Sequence, residues 1–388
     1  MKAITLDKEE GKLSLKLQDV QIPILKPGQV LIKVEYSPIH SLDLNYIENA
    51  LNCQTCTPKI LGREGSGVVV RSHPLSKSWR LEGKRVSFIK LDENEGTWAE
   101  YVVCNSKDCI ILNNDLSFIS GSSMMYNPLA VLMVTEQIKK HNHTCIIQAN
   151  SFSVLGKMMI NWSRFIDVIC INIVDSDAEK KILKKYKADY IVNKNKDNFS
   201  TKLRKICKSL HPTCVLQYEN EEVDNEIFDA LEIGGEMVIV GDSPRGKING
   251  IPADNMIINQ KKIRGISTKI WYGELNRQER RSCFKILENF RLILRTDLSE
   301  IFSASQLEIA INSFKSYGKG EASLFSFKGL SAQVSESTYE DSEDSEYEED
   351  DDFLFSLEKL IRLYRLKLSP DKLVPRESFH IKNNSDYI

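Results

Sequence analysis

The sequence predicts an α/β protein in which a glycine-rich β domain comes first and a doubly wound parallel sheet follows. Three observations predict this. Residues 1–112 consist largely of short alternating runs, such as KLSLKLQDV and QVLIKVEYSPIH, broken by glycines. From residue 144 to 240 the pattern changes to strand-length apolar runs separated by helical segments of roughly 10–15 residues, as in parallel strands joined by crossover helices. Within that region the stretch TCIIQANSFSVLGKMMINWSRFIDVICINIVD reads strand, tight turn, amphipathic helix, strand, and ends on Asp175.

Taken in order, Pro27-Gly28 supplies a turn between two strands of the alternating region 1–60. LGREGSGVVV, GKRVSFI and GTWAEYVV continue the β pattern. From Ser117 the segment FISGSSMMYNPLAVLMVTEQIKK has helical spacing and leads into the strand Cys145 to Gln148. A second strand, Val168 to Val174, is followed by a helix over 176–187 and a strand from Tyr190 to Val192. A helix at 198–209, a strand from Cys214 to Gln217, a helix at 222–232 and a strand from Met237 to Val240 complete the alternation, with a candidate sixth strand at 263–268. Residues 274–328 read as two helices and a final strand that return to the first domain. The expected division is therefore 1–120 completed by 274–328, a second domain over 121–273, an acidic linker over 329–352, and a tail over 353–388.

A chain of 388 residues is long for one core, which agrees with two domains and an appendage. The net charge of −2 is unevenly spread, because residues 333–352 carry 11 acidic side chains and no Lys or Arg, which leaves the remainder at +9. Such a segment buries too little apolar surface to offset chain entropy and is expected to be disordered. After it, Phe353, Leu357, Leu360, Ile361, Tyr364 and Leu368 recur at helical spacing, so 353–368 is a candidate ligand helix for a protein partner or for the body of its own chain. Ser342 and Ser345 lie in the acidic surroundings that acidophilic kinases favour. Nine cysteines, several inside apolar strands, imply reduced thiols and an intracellular protein. Cys53 and Cys56 form one close pair without a second at structural-zinc spacing, so no structural metal is expected. With no apolar run of about 18 residues and no basic stripe interleaved with aromatics, neither a membrane span nor a nucleic-acid partner is expected, and the cytoplasm is the expected location.

The turn Ala149 to Gly156 carries the chemistry. At the end of a first parallel strand it aims a helix N-terminus, with its free amides, at a pyrophosphate. In the G-x-G-x-x-G register Ser151, Ser153 and Gly156 take the glycine positions, and with Val154 and Leu155 they are the candidate phosphate contacts. Phe152 is bulky for such a loop, and the turn alone fits any strand-to-helix junction of an α/β protein equally well. Asp175 ends the second strand, where a carboxylate accepts from a ribose hydroxyl; Ser176 and Glu179 behind it are spaced as a capping box, and the two roles are compatible.

Five ordered motifs extend the reading: Gly62-Arg63-Glu64-Gly65-Ser66-Gly67, Gly83-Lys84-Arg85-Val86, Gly96-Thr97-Trp98-Ala99-Glu100-Tyr101, Asn127-Pro128-Leu129, and Gln148 through Gly156. Over roughly residues 1–328 the chain resembles the zinc-independent branch of the medium-chain dehydrogenase/reductase family, and within it the quinone-oxidoreductase-like and 2-enoyl thioester reductase enzymes. The resemblance implies a GroES-like β domain, a Rossmann domain, NAD or NADP in the cleft between them, a small-molecule substrate and a homodimer. It places Asn127 beside the nicotinamide, Gly156 at the helix–strand contact, and Gly241 at the edge of the cofactor. Arg63 stands where zinc-dependent relatives have a histidine, and a guanidinium does not ligate, so no zinc is expected. His40, in the preceding loop, is expected to be a surface or packing residue. The tyrosine used by enoyl reductases falls at Leu51, leaving Tyr46 and Tyr126 as candidate proton donors. Asp175 replaces a basic residue common in this branch and favours NAD, unless Lys180 or Lys181 folds back over a 2′-phosphate. The implied function is NAD(P)H-dependent reduction of a quinone, enal or 2-enoyl thioester. The alternative is a catalytically degenerate relative serving as a binding or assembly subunit, suggested by the two lost loop glycines, Phe152, the missing tyrosine and the added acidic tail with its helix.

Overall fold

The structure is a computed structural model that describes residues 1–9, 12–50, 59–74, 77–91, 95–218, 225–241, 251–317 and 320–330. Leu51, Cys53, Cys56 and the expected tail helix at 353–368 lie outside the described residues.

The chain opens with an antiparallel pair, β1 (Lys2–Glu9) and β2 (Lys12–Asp19), in which Lys2 faces Asp19. The long strand β3 (Gln29–Ile39) leads into helix α1 (Ser41–Ala50), and the two-residue β4 (Lys59–Ile60) joins β1. Next come β5 (Glu64–Ser72), β6 (Arg85–Ile89), β7 (Tyr101–Asn105) and β8 (Cys109–Ile111). Trp98 anchors the core of this region: it is fully buried, its indole N–H donates to the Pro38 carbonyl at 3.0 Å, and Phe325 meets it edge-on at 5.0 Å. The glycine that precedes it by two positions is required, since a Cβ on Gly96 would lie 2.0 Å from the Leu61 carbonyl oxygen.

Two helices, α2 (Phe118–Ser122) and α3 (Tyr126–Lys140), lead to β9 (Cys145–Gln148) and α4 (Val154–Phe165). The alternation continues through β10 (Ile169–Val174), α5 (Asp177–Lys185), β11 (Tyr190–Asn193), α6 (Phe199–Leu210), β12 (Cys214–Tyr218), α7 (Asn225–Asp229) and β13 (Glu236–Val240). After α8 (Ala253–Ile257), β14 (Lys262–Ile266) closes a parallel sheet of order β11-β10-β9-β12-β13-β14. Helices cover both faces, which is why Ile146, Ile147, Ile171, Ile173, Val215 and Leu216 are all buried and the strands read as continuous apolar runs. The free thiols of Cys145 and Cys207 are pushed up to about 12 by burial, so these cysteines are packing residues and not nucleophiles. The expected α/β class, with a β domain and a Rossmann-type parallel sheet, is borne out.

The return segment consists of α9 (Thr268–Glu274), α10 (Arg277–Asn289), β15 (Leu298–Ser303), α11 (Leu307–Tyr317) and β16 (Ala322–Ser326). β16 pairs with β3, and the first large sheet runs β15-β16-β3-β5-β6-β8, with β7 also on β3.

Three expectations need correction. The region 1–60 is not all β. In α1 the residues Leu42 and Leu44 alternate as a strand would, yet Asp43 accepts the His40 amide at 3.0 Å and starts a helical turn. The segment after Ser117 is two helices, because the amides of Met125 and Tyr126 both donate to the Glu64 carboxylate at 2.9 Å; a side chain from β5 caps α3, and Pro128 follows in its first turn, where no amide is needed. The return segment holds β15 in addition to the final strand. It is an edge strand, largely exposed, and its polar sequence LSEIFS carries no apolar run.

Candidate active site

The order of the parallel sheet places β9 between β10 and β12, so the crossovers leave it on opposite sides and a crevice opens beyond the carboxyl ends of β9 and β12. A cavity of about 380 Å³ lies there. Asn150, Phe152, Ser153, Val154, Leu155, Asp175 and Gly241 line it from the parallel-sheet region, His40 and Ser41 from the junction of β3 and α1, and Tyr126 and Asn127 from α3.

Helix α4 is aimed at this cavity by a local motif. Ser153 is its N-cap, with an oxygen that accepts from the Gly156 amide at 3.0 Å and a hydroxyl that donates to the Asn150 carbonyl at 2.9 Å. The amides of Val154 and Leu155 therefore have no protein acceptor among the described residues, and both residues line the cavity. Gly156 sits behind them, where a Cβ would lie 2.6 Å from the carbonyl oxygens of both Asn150 and Ser151. This cradle and its free amides fit a pyrophosphate. Ser151 does not line the cavity: it is fully buried and donates to the Gln148 carbonyl at 3.0 Å. Phe152 leans aside, packed on the cluster Ile160, Val174, Leu183 and Ile191 and against Gly320, with one edge in the cavity wall.

Asp175 meets the cavity at the end of β10, and its carboxylate is not alone. Lys194 Nζ lies 2.8 Å from Asp175 Oδ1. Asp175-Ser176-Asp177 itself supplies no cation for a 2′-phosphate, and the cation beside it comes instead from the end of β11. Parallel pairing sets Val174 beside Asn193, so the residues that follow each strand become neighbours although 19 positions apart. The capping box is displaced by one residue. Ser176 accepts from the Glu179 amide at 3.1 Å, whereas Glu179 reaches back to the Asp175 amide at 2.8 Å.

His40 is neither a surface nor a mere packing residue. It is buried in the cavity wall with Nε2 3.0 Å from Glu64 Oε1, while the other Glu64 oxygen holds the Met125 and Tyr126 amides. The 3.0 Å approach misses hydrogen-bond alignment, so charge holds the pair more than direction does. Burial pulls the imidazole down, but Glu64 and then Asp43 outweigh it, and the pKa is raised above the usual histidine value despite the opposing charge of Arg63. Burial raises the Asp43 carboxyl as well. The rings of His40 and Tyr126 lie 5.2 Å apart, and the Arg63 guanidinium is 5.7 Å from the Tyr126 ring. Of the two tyrosine candidates, Tyr126 lines the cavity and Tyr46 does not: the latter packs beside the first core with Lys59 Nζ 4.2 Å over its ring. Tyr218, which the sequence reading passed over, ends β12 at the crevice and donates to Gln148 at 2.6 Å. Among the described residues no group of three or more His, Cys, Asp or Glu side chains converges as a metal site, and no helix is long and apolar enough to cross a membrane.

Comparison with known proteins agrees with this architecture. Residues 26–114 match the model of the alcohol dehydrogenase GroES-like domain, and residues 154–279 match that of the zinc-binding dehydrogenases. The chain is similar to the mitochondrial enoyl-[acyl-carrier-protein] reductase of Caenorhabditis elegans, at 27% identity over 266 residues, covering 66% of this chain and 75% of that protein. It is also similar to the quinone oxidoreductase of Sus scrofa, at 25% identity over 271 residues, covering 69% and 80% of the two chains. A crystal structure of Pseudomonas syringae quinone oxidoreductase superposes with a TM-score of 0.71 at 15% identity, over 84% of this chain and all of that one. With both domain models matched in order and relatives aligned across the two, the chain belongs to the medium-chain dehydrogenase/reductase family.

Proposed function

We propose that the cavity binds NAD(P)H and that the protein reduces a polarised carbon–carbon double bond or a quinone without zinc. The observation that carries this is one cavity lined both by two helix-N-terminal residues whose amides have no acceptor among the described residues and by His40, Tyr126 and Asn127. Relatives named as enoyl reductases and a quinone oxidoreductase support the reaction class. In this reading Val154 and Leu155 hold the pyrophosphate, Asp175 and Lys194 meet the adenine ribose, and Asn127 and Gly241 border the nicotinamide, which supplies hydride. Arg63 keeps a fixed positive charge where zinc-dependent relatives carry a ligand. The free thiols of the described residues, buried in all but Cys109, fit a reducing compartment, and we take the cytoplasm as the location. The direct test follows nicotinamide absorbance of NADH and NADPH with a quinone, a 2-enal and a 2-enoyl thioester, alongside thermal shift with each dinucleotide. Consumption with at least one acceptor is expected. A protein that neither shifts nor consumes either dinucleotide refutes the proposal.

The Asp175–Lys194 pair carries a prediction about cofactor choice. With the carboxylate in place Lys194 is occupied, and a 2′-phosphate of about −1.5 to −2 charge would have to displace it. Asp175→Asn removes the negative charge beside the ammonium and is expected to move the NADPH-to-NADH affinity ratio toward NADPH by roughly tenfold, or about 1.4 kcal/mol. Fluorescence titration of both dinucleotides measures it. A ratio unchanged by the substitution would remove this pair from the ribose subsite.

A further inference from the structure

The reduction needs a proton as well as a hydride, and the tyrosine position of the enoyl reductases holds Leu51. Resting on the reading of the cavity as a reductase site, we propose that His40 is the proton donor, delivering the proton from Nδ1 to the reduced substrate. The two ring nitrogens have different surroundings. Nε2 faces Glu64, whereas Nδ1 has no partner among the described residues, and the residue lines the cavity together with Ser41 and Tyr126. Glu64 is itself immobile. It is fully buried, and its second oxygen is fixed by two amides of α3, so the charge that holds the imidazole cannot swing away. Asp43 adds a second negative charge from α1, and its own carboxylate is pinned by the His40 amide at 3.0 Å and the Gly62 amide at 3.3 Å. The titratable and charged groups facing the ring are thus Glu64 on β5, Asp43 on α1, Arg63 just before β5 and Tyr126 on α3. Two carboxylates against one guanidinium favour the imidazolium, the form that donates. Tyr126 shares the wall, but a phenol titrates near pH 10 and a histidine near 6.5, so the imidazole is the better matched acid at neutral pH.

For a 2-enoyl substrate the step balances with NAD(P)H as the two-electron reductant. The β-carbon accepts hydride, the π pair moves onto the carbonyl oxygen as an enolate, and the Nδ1–H bond breaks with its electrons left on the ring. The proton forms the new bond at the α-carbon. The neutral imidazole then regains a proton from water. With a quinone, one carbonyl oxygen accepts the hydride, the ring becomes aromatic with a phenolate at the other oxygen, and the proton goes to that phenolate oxygen.

His40→Asn keeps polarity and removes titration. The expected result is a fall of about 100-fold in kcat/KM. The wild-type rate should decline as pH rises through the folded pKa of His40, because the charged form donates, and the variant should lose this limb. The dinucleotide thermal shift should be largely retained, since the pyrophosphate is held by the Val154 and Leu155 amides and not by His40. Imidazole NMR titration of the wild type needs no variant, and should show His40 still protonated above the ordinary value of about 6.5. A ring already neutral at pH 6 overturns the proposal even should His40→Asn fail to fold. An active wild type whose rate and pH limb survive His40→Asn overturns this proposal alone; if Tyr126→Phe removes that limb instead, the donor is Tyr126. A wild type that binds and consumes neither dinucleotide overturns the functional reading and this proposal with it.

Discussion

Replacing Gly156 with leucine is expected to abolish dinucleotide binding and to cost the parallel-sheet region roughly 3 kcal/mol. The cause is backbone and cannot relax cheaply. A Cβ at this position would meet two carbonyl oxygens at 2.6 Å, so α4 must lift from the turn that orients it. Lifting the helix also breaks the Ser153 cap, whose acceptor bond is to the Gly156 amide itself, and turns the Val154 and Leu155 amides away from the cavity. A dinucleotide at a hundred times its dissociation constant should stabilise the wild type by about 2.7 kcal/mol and the variant by nothing measurable. Gly273→Ala is the control, because a Cβ there meets no atom within 4 Å. A Gly156→Leu protein with a wild-type thermal shift would mean that any cofactor sits elsewhere.

The second large effect lies where the two parts of the chain are tied together. Lys157, in the first turn of α4, has a side chain only 5% exposed, and its ammonium is 2.9 Å from an oxygen of Asp297, just ahead of β15. The Tyr186 hydroxyl donates to the same oxygen, and the rings of Phe152 and Tyr186 lie 5.6 and 5.2 Å from the ammonium. Asp297→Ala strands a buried cation among aromatic rings. A loss of about 3 kcal/mol is expected, at the lower end for a broken buried pair because the Asp297 side chain keeps 24% exposure. Lys157→Met should cost less, since it removes the charge and keeps the aliphatic bulk, and the double variant should recover much of the Asp297→Ala loss. Denaturant midpoints for the four proteins give the coupling energy. An Asp297→Ala protein within about 0.5 kcal/mol of wild type would show that the pair holds nothing together.

The parallel sheet and the turn that opens it were legible in the sequence by itself. Strands covered on both faces must be apolar throughout, and α4 announces its start through Ser153 and Gly156, so spacing and residue type were enough to place Val154, Leu155 and Asp175 at one crevice. The helix break before Tyr126, the polar edge strand β15, the exclusion of Tyr46 from the cavity and the ionic partners of the site were decided only by tertiary structure. Periodicity tells which face of an element is apolar; it carries no record of which distant side chain will stand opposite a polar one. His40 reads as a lone histidine until β3 and β5 pair and bring Glu64 within 3.0 Å, and Asp175 reads as uncompensated until β10 and β11 align and deliver Lys194. The chemistry of a titratable group is set by its nearest charges and its burial, and both are properties of strand register between segments that the chain itself does not place side by side.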